Sequence, residues 1–213
     1  LEGRGGPDST TMEGRDGATA TTLDDAQPVS APFFRRNLPP PLADRYDVIR
    51  TLSDSSSQAD VYLARTKSDG TEVAIKLYRS LSVAMDAAEE ALVERCDPAH
   101  VVPTSFDQWQ DEKWEVQEYM VRGTLADLPK NLGHNPTTEE LYEVARELIE
   151  ALDHIHSHNL AHRDIKPSNI LIRTTVPLDL VLADFGLART LDAGSQLGSM
   201  SRTERYAAPE VLR

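Results

Sequence analysis

The spacing of hydrophobic positions changes character twice along the chain. Apolar and polar residues alternate weakly over 46–52, Val61-Tyr62-Leu63-Ala64 is a compact apolar run, and Val73-Ala74-Ile75-Lys76-Leu77 is another. Alternation and short β-branched runs predict strands, and Ser68-Asp69-Gly70 between the second and third has turn chemistry. Three strands with short links predict an antiparallel meander. Residues 81–95 are Ala-rich and predict a helix ending before Asp97-Pro98, since a residue preceding proline is driven out of the helical region. Segments 101–106 and 115–119 predict two more strands. Beyond Gly123 the period becomes helical. Leu141, Val144, Ala145, Leu148, Leu152 and Ile155 recur on one helix face, and Thr137 with Glu140 has the form of a capping box. Ile170-Leu171-Ile172 and Leu180-Val181-Leu182 flank a turn containing Pro177. Strands first and helices later predict an α+β fold, a small β-rich lobe joined to a helical lobe.

Residues 1–41 lack this patterning. Glycines, prolines and Ser/Thr/Asp residues dominate there, with no apolar period to offset the entropy of ordering, so a disordered tail is expected over 1–41 and a folded domain over 42–213. The whole chain of 213 residues carries 22 Lys+Arg against 35 Asp+Glu, a formal charge of −13. That balance argues against a nucleic-acid partner, which needs clustered cations to neutralise phosphates, and against an anionic membrane surface. The single cysteine, Cys96, forms no intrachain disulfide and fits a reducing, cytoplasmic setting. No apolar run approaches the roughly 18 residues of a spanning helix, and no signal peptide is visible. The first residue is Leu, not Met, which leads us to expect a piece of a longer protein.

The chemistry concentrates after the long helix. His162-Arg163-Asp164-Ile165-Lys166-Pro167-Ser168-Asn169 places an Asp, a Lys and an Asn in one loop; Asp184-Phe185-Gly186 and Ala207-Ala208-Pro209-Glu210 follow, and Val73-Ala74-Ile75-Lys76 lies upstream. An amide oxygen at Asn169 and a carboxylate at Asp184 are hard donors for divalent cations. Asp164 has the chemistry to take a proton from a hydroxyl, and Lys76 and Lys166 to offset developing negative charge. Taken singly, each of these residues also reads as an ordinary turn, cap or solvated charge. In this order and spacing the motifs resemble the eukaryotic-type protein serine/threonine kinases, over about residues 46–213.

The resemblance implies a two-lobe kinase fold: an N-lobe over about 42–117, a hinge over about 118–123, and a helical C-lobe from 124, incomplete because the chain stops at Arg213. It implies ATP and Mg²⁺ as cofactors and a protein as substrate. Asp164 becomes the catalytic base, Lys166 a stabiliser of the transferring phosphate, and Asn169 and Asp184 the metal ligands. Lys76 holds the α/β-phosphates, braced by a carboxylate from the Ala-rich helix. Glu89, Glu90 and Glu94 all compete for that role. Glu89 is preferred because the residue four positions on is the aliphatic Val93, as in the family. Val61 and Ala74 would roof the adenine and Leu171 floor it, with the Glu118 carbonyl and the Met120 amide pairing with its edge. Phe185 and His162 would stack with Val93. Lys166-Pro167-Ser168 and Thr203 point to the serine/threonine branch, and Arg163 to a site for an activation-segment phosphate carried by Thr190, Ser195, Ser199 or Ser201.

The sequence departs from the family at the phosphate-covering loop. Asp54, Ser56 and Ala59 stand at its three glycine positions, and glycine there allows close backbone approach to phosphate. This keeps a second reading open, a pseudokinase-like scaffold or allosteric module with weak nucleotide use. A third, a small-molecule phosphotransferase, is opposed by Lys166-Pro167 and by Ala207-Ala208-Pro209-Glu210. Three histidines at 154, 156 and 158 precede the loop; at that spacing they do not converge on one helix face, so they are not expected to bind metal.

Overall fold

The computed structural model of the chain describes residues 38–53, 58–81, 84–190 and 204–206. Among the described residues five strands form one antiparallel sheet: β1 (Tyr46–Ser53), β2 (Ala59–Thr66), β3 (Glu72–Tyr78), β4 (Thr104–Trp109) and β5 (Glu112–Glu118), in the order β1-β2-β3-β5-β4. The first three are the expected meander. Asp69 Oδ1 accepts the Thr71 N–H at 2.9 Å and Gly70 takes φ +77° in the β2–β3 turn.

Alternation along the strands gives the sheet two different faces. On one, Tyr62, Ala64, Ile75, Leu77, Trp114 and Val116 bury with Leu42 and Tyr46. Leu42 belongs to a short helix, α1 (Pro40–Arg45), and is wholly buried. Pro40 and Pro41, read as the end of the tail, therefore open this helix, where a missing N–H costs nothing. On the other face the registers align Val61, Lys76, Glu115 and Phe106 in a row across β2, β3, β5 and β4.

α2 (Ala87–Glu94) is shorter than the helix expected over 81–95. Asp86 sits in extended backbone, and its Oδ1 accepts the N–H groups of Ala88 and Glu89 at 3.0 and 2.9 Å, which starts the helix at 87. The strand expected over 101–106 also begins late. Val101 instead bridges Leu182 in parallel, Pro103 has no N–H for a ladder, and β4 starts at Thr104.

The chain leaves β5 through Gly123, whose φ is +76°. Its N–H reaches the Met120 carbonyl at 2.9 Å and its carbonyl accepts the Ile172 N–H at 3.0 Å. After α3 (Leu128–Leu132) comes α4 (Thr138–Ser157), opened by the expected reciprocal cap: Thr137 N–H to Glu140 Oε2 at 2.7 Å and Glu140 N–H to Thr137 Oγ1 at 3.2 Å. The buried stripe of α4 runs through Val144, Ala151 and Ile155; Leu141 and Ala145, expected on it, face solvent. β6 (Leu160–Ala161) pairs with β9 (Arg189–Thr190), and β7 (Ile170–Thr175) pairs with β8 (Leu178–Leu182). Ile155, Leu160, Ile170, Ile172, Leu180 and Leu182 form the main core, joined by Val93 from α2 and by Phe185. Burying each such aliphatic side chain contributes about 1.5–3 kcal/mol. No helix among the described residues is long and apolar enough to cross a membrane.

Candidate active site

The loop between β6 and β7 is fixed by its own polar side chains. His162 is buried; its Nε2–H donates to the Ala183 carbonyl at 2.9 Å, and its Nδ1 accepts the Asp164 N–H at 3.3 Å. Those two partners set the neutral tautomer. Burial holds the imidazole below its usual pKa. Phe185 packs on the ring with centroids 4.6 Å apart, and it shares the main core with Val93, as the resemblance implied.

Asp164 meets its expected neighbours. Lys166 Nζ lies 2.7 Å from Asp164 Oδ2, and Asn169 Nδ2 donates at 2.9 Å to both the carbonyl and Oδ2 of Asp164. The Asn169 carbonyl accepts the Ala183 N–H at 2.9 Å, which anchors the loop to the segment carrying Asp184. Two non-glycine residues here, Arg163 (φ +65°) and Asp184 (φ +60°), hold left-handed backbone. Such conformations cost about 1–3 kcal/mol each and persist where the surroundings enforce them, as at functional sites.

Lys76 and Asp184, 108 residues apart, meet at 2.5 Å. Burial opposes the charge on Asp184, but the Lys76 ammonium more than offsets it and holds the carboxyl below the ordinary carboxylate range. Glu115 Oε1 also lies 3.6 Å from Lys76 Nζ, and Glu115 Oε2 accepts the Tyr78 hydroxyl at 2.9 Å. Burial works against the Lys76 ammonium, while Glu115, Asp184 and Tyr78 together push its pKa above the usual lysine value.

Glu89 does not brace Lys76. Its Oε2 lies 3.3 Å from Arg189 Nη1, at the start of β9. Burial raises the Glu89 carboxyl and the Arg189 guanidinium pulls it back. The other two candidates are engaged elsewhere as well: Glu90 pairs with Lys113 at 2.6 Å and Glu94 Oε1 accepts the Phe106 N–H at 3.2 Å. α2 is thus pinned to β5, β4 and β9 through its three glutamates.

Of the residues expected around the adenine, Val61 is half-buried and Ala74 buried, while Leu171 packs with buried Met120, Val102, Val181 and Ala183; Glu118 is exposed. Of the phosphate-loop positions, Ala59 is buried at the start of β2, whereas Asp54 and Ser56 lie outside the described residues, as do Thr203, Ser195, Ser199, Ser201 and 207–210. Thr190 lies in β9, opposite Leu160.

The donors suit a hard cation. Asn169 spends its Nδ2 on Asp164, its Oδ1 accepts the Ser168 hydroxyl at 3.4 Å, and the Asp184 side chain is 45% exposed, so the oxygens of both residues have the chemistry of hard donors. A Cβ at Gly186 would stand 3.4 Å from Asp184 Oδ1 and 3.5 Å from Lys76 Nζ, ordinary contact distances that place Gly186 directly against the pair. The histidine cluster behaves differently. His154 and His158 do share a face, and Cys96 joins them with candidate ligand atoms within 4.8 Å, while His156 does not take part. His154 Nε2 accepts the Asp97 N–H at 2.8 Å, so this cluster ties the α2–β4 loop to α4.

Sequence reasoning missed Glu115, Tyr78 and Arg189. Glu115 was readable only as the first residue of the strand expected over 115–119; its signal was an acid inside the apolar run Trp114-Glu115-Val116, at the period that faces Lys76.

The protein kinase domain family matches residues 55–213. The chain belongs to that family. It is 34% identical over 179 residues to a calcium/calmodulin-dependent protein kinase of Metarhizium anisopliae, a match covering 79% of this chain and 45% of that one. It is 32% identical over 180 residues to serine/threonine-protein kinase cds1 of Schizosaccharomyces pombe, covering 79% and 38%. A third relative, serine/threonine-protein kinase RAD53 of Saccharomyces cerevisiae, is 30% identical over 174 residues, covering 79% and 21%. The chain therefore spans less than half the length of these relatives.

Proposed function

We propose that this site transfers the γ-phosphate of ATP to serine and threonine hydroxyls of a protein substrate. The observation that carries the reading is the meeting of Lys76 and Asp184 at 2.5 Å beside the Asp164–Lys166–Asn169 cluster. The family and the names of its relatives support it. Val61, Ala74 and Leu171 enclose the adenine, and the Glu118 carbonyl and Met120 amide pair with its edge. Asn169 and Asp184 would hold Mg²⁺, which neutralises charge on the phosphates when bound. Asp164 orients the attacking hydroxyl and accepts its proton at Oδ2. Lys166, already beside that oxygen, stands where it can offset charge on the transferring group, and Lys76 fixes the non-transferred phosphates. Arg163 receives a phosphate on the activation segment, and Thr203 reads the hydroxyl class. The single cysteine fits a cytoplasmic setting.

Incubating the protein with labelled ATP, Mg²⁺ and a protein substrate tests this reading. Label on serine and threonine that disappears in Asp164→Ala is expected. Nucleotide binding without any transfer would make the fold a scaffold, and label confined to small hydroxyl compounds would make it a small-molecule phosphotransferase.

A further inference from the structure

Lys76 and Glu115 are direct cross-strand partners in the β3–β5 register. Partners at one register position project from the same face of a sheet, with Cβ atoms about 4.5–5.5 Å apart. Their closeness is therefore a property of the sheet backbone, which no movement of α2 alters. Glu115 is only 3% exposed, yet it occupies a strand whose neighbours Trp114 and Val116 are apolar and buried. A carboxylate in such a place costs stability unless it is paired. Here it is held on two sides, by Lys76 at 3.6 Å and by the Tyr78 hydroxyl at 2.9 Å. None of the three glutamates of α2 reaches Lys76: each has a different partner, at Arg189, Lys113 or the Phe106 amide. Among the described residues the only other acid on Lys76 is Asp184. A carboxylate that also ligates a cation divides its charge between the cation and the lysine, so Asp184 would brace Lys76 less strongly whenever it ligates metal.

We infer that Glu115 is the positioning carboxylate for Lys76, a sheet-borne counter-ion that aims the ammonium at the nucleotide phosphates independently of α2. Tyr78 completes the device by donating to the second oxygen of Glu115, which leaves Oε1 facing Lys76. Glu89 is thereby released to pair with Arg189 without leaving Lys76 unbraced. The inference rests on the proposed nucleotide site, and its test separates the two.

The test is a double-mutant cycle on equilibrium binding of a fluorescent ATP analogue with Mg²⁺, using Lys76→Met, Glu115→Gln and both together. If Glu115 acts through Lys76, Glu115→Gln weakens binding about tenfold in the wild-type background, a coupling of about 1.4 kcal/mol, and changes it less than about twofold once Lys76 is gone. Glu115→Asp restores part of the loss. Equal losses in both backgrounds would overturn the inference, because they would describe a residue that merely supports the strand. So would a cycle in which Glu89→Gln is coupled to Lys76 and Glu115→Gln is not. Thermal unfolding of the same variants without nucleotide reads the pair directly. A wild-type protein that binds no ATP would end the functional reading, whereas additive melting shifts for Lys76→Met and Glu115→Gln would end this one.

Discussion

Arg189 at the start of β9 holds Glu89 of α2 at 3.3 Å, across 100 residues of chain. The contact ties the helix packed against the sheet to the segment that follows Asp184. Arg163 adds a second, weaker positive influence on the same carboxylate. It also makes Glu89 a buried acid whose ionisation depends on a neighbour from another part of the fold.

Removing that neighbour should therefore matter most when Glu89 is ionised. Burial raises the Glu89 carboxyl above its ordinary value of 4.5, and Arg189 opposes the rise. A raised carboxyl favours the fold at low pH and loses that advantage as pH climbs through the folded value. Arg189→Ala should lower unfolding free energy by about 1–3 kcal/mol near neutral pH, the cost of stranding a buried charged group, and by less near pH 5. Urea midpoints at the two pH values check this; a gap that narrows as pH rises contradicts it.

His162 gives a pH dependence of the opposite sense. Its folded pKa lies below the ordinary 6.5 because burial disfavours the imidazolium. A depressed histidine contributes stability that is complete above the unfolded value and is lost as pH falls below it. Unfolding free energy should decline between about pH 7 and pH 5, with a slope of up to about 1.4 kcal/mol per pH unit for one proton. His162→Phe keeps a ring against Phe185 and should flatten that slope, while His154, also depressed by burial, keeps part of it. Equal slopes in wild type and variant would show that His162 is not buried neutral.

Gly123 marks the exit from β5. A Cβ there would stand 2.5 Å from Asp127 Oδ2, which accepts both the N–H and the hydroxyl of Thr124 at 2.9 Å, and the residue holds φ +76°. Gly123→Ala should destabilise the protein by about 2 kcal/mol, from left-handed strain plus a disturbed cap. Chemical denaturation measures it, and a loss within experimental error would contradict the assignment.

Asn169 bonds Asp164 twice, at its carbonyl and at Oδ2, each at 2.9 Å. Asn169→Ala should lower kcat by at least about 10²-fold, the scale on which a positioned proton-transfer group acts. It should also cost about 1–3 kcal/mol of stability by leaving the Asp164 carbonyl without its donor. Steady-state kinetics alongside denaturation separates the two effects; unchanged kcat in a folded variant would remove Asn169 from the site.

Much of this site was legible in the sequence because its motifs are local. Asp164, Lys166 and Asn169 lie in one loop and bond one another, so their spacing already carried their geometry. The strands β1–β3 and the α4 cap were legible for the same reason, each being set by residues within a few positions. What the sequence did not reveal depends on which distant elements are neighbours. Glu89 was assigned to Lys76 from the residue one turn on, but the choice between Lys76 and Arg189 is made by where β9 packs. Glu115 could not be recognised as a partner until β3 and β5 were known to be adjacent and in register. Asp86 shortened α2 through a cap competing with helix propensity that extends back to 81, and Leu42 made a helix of residues whose prolines read as tail.

The most direct test of the account is the metal dependence of nucleotide binding. Isothermal titration of ATP into the protein, with and without Mg²⁺, should show binding that Mg²⁺ strengthens and that Asp184→Asn makes indifferent to the metal. Binding that is equally strong without Mg²⁺ and unaffected by Asp184→Asn, or no binding at all, would contradict the claim that Lys76 and Asp184 meet around one metal–triphosphate.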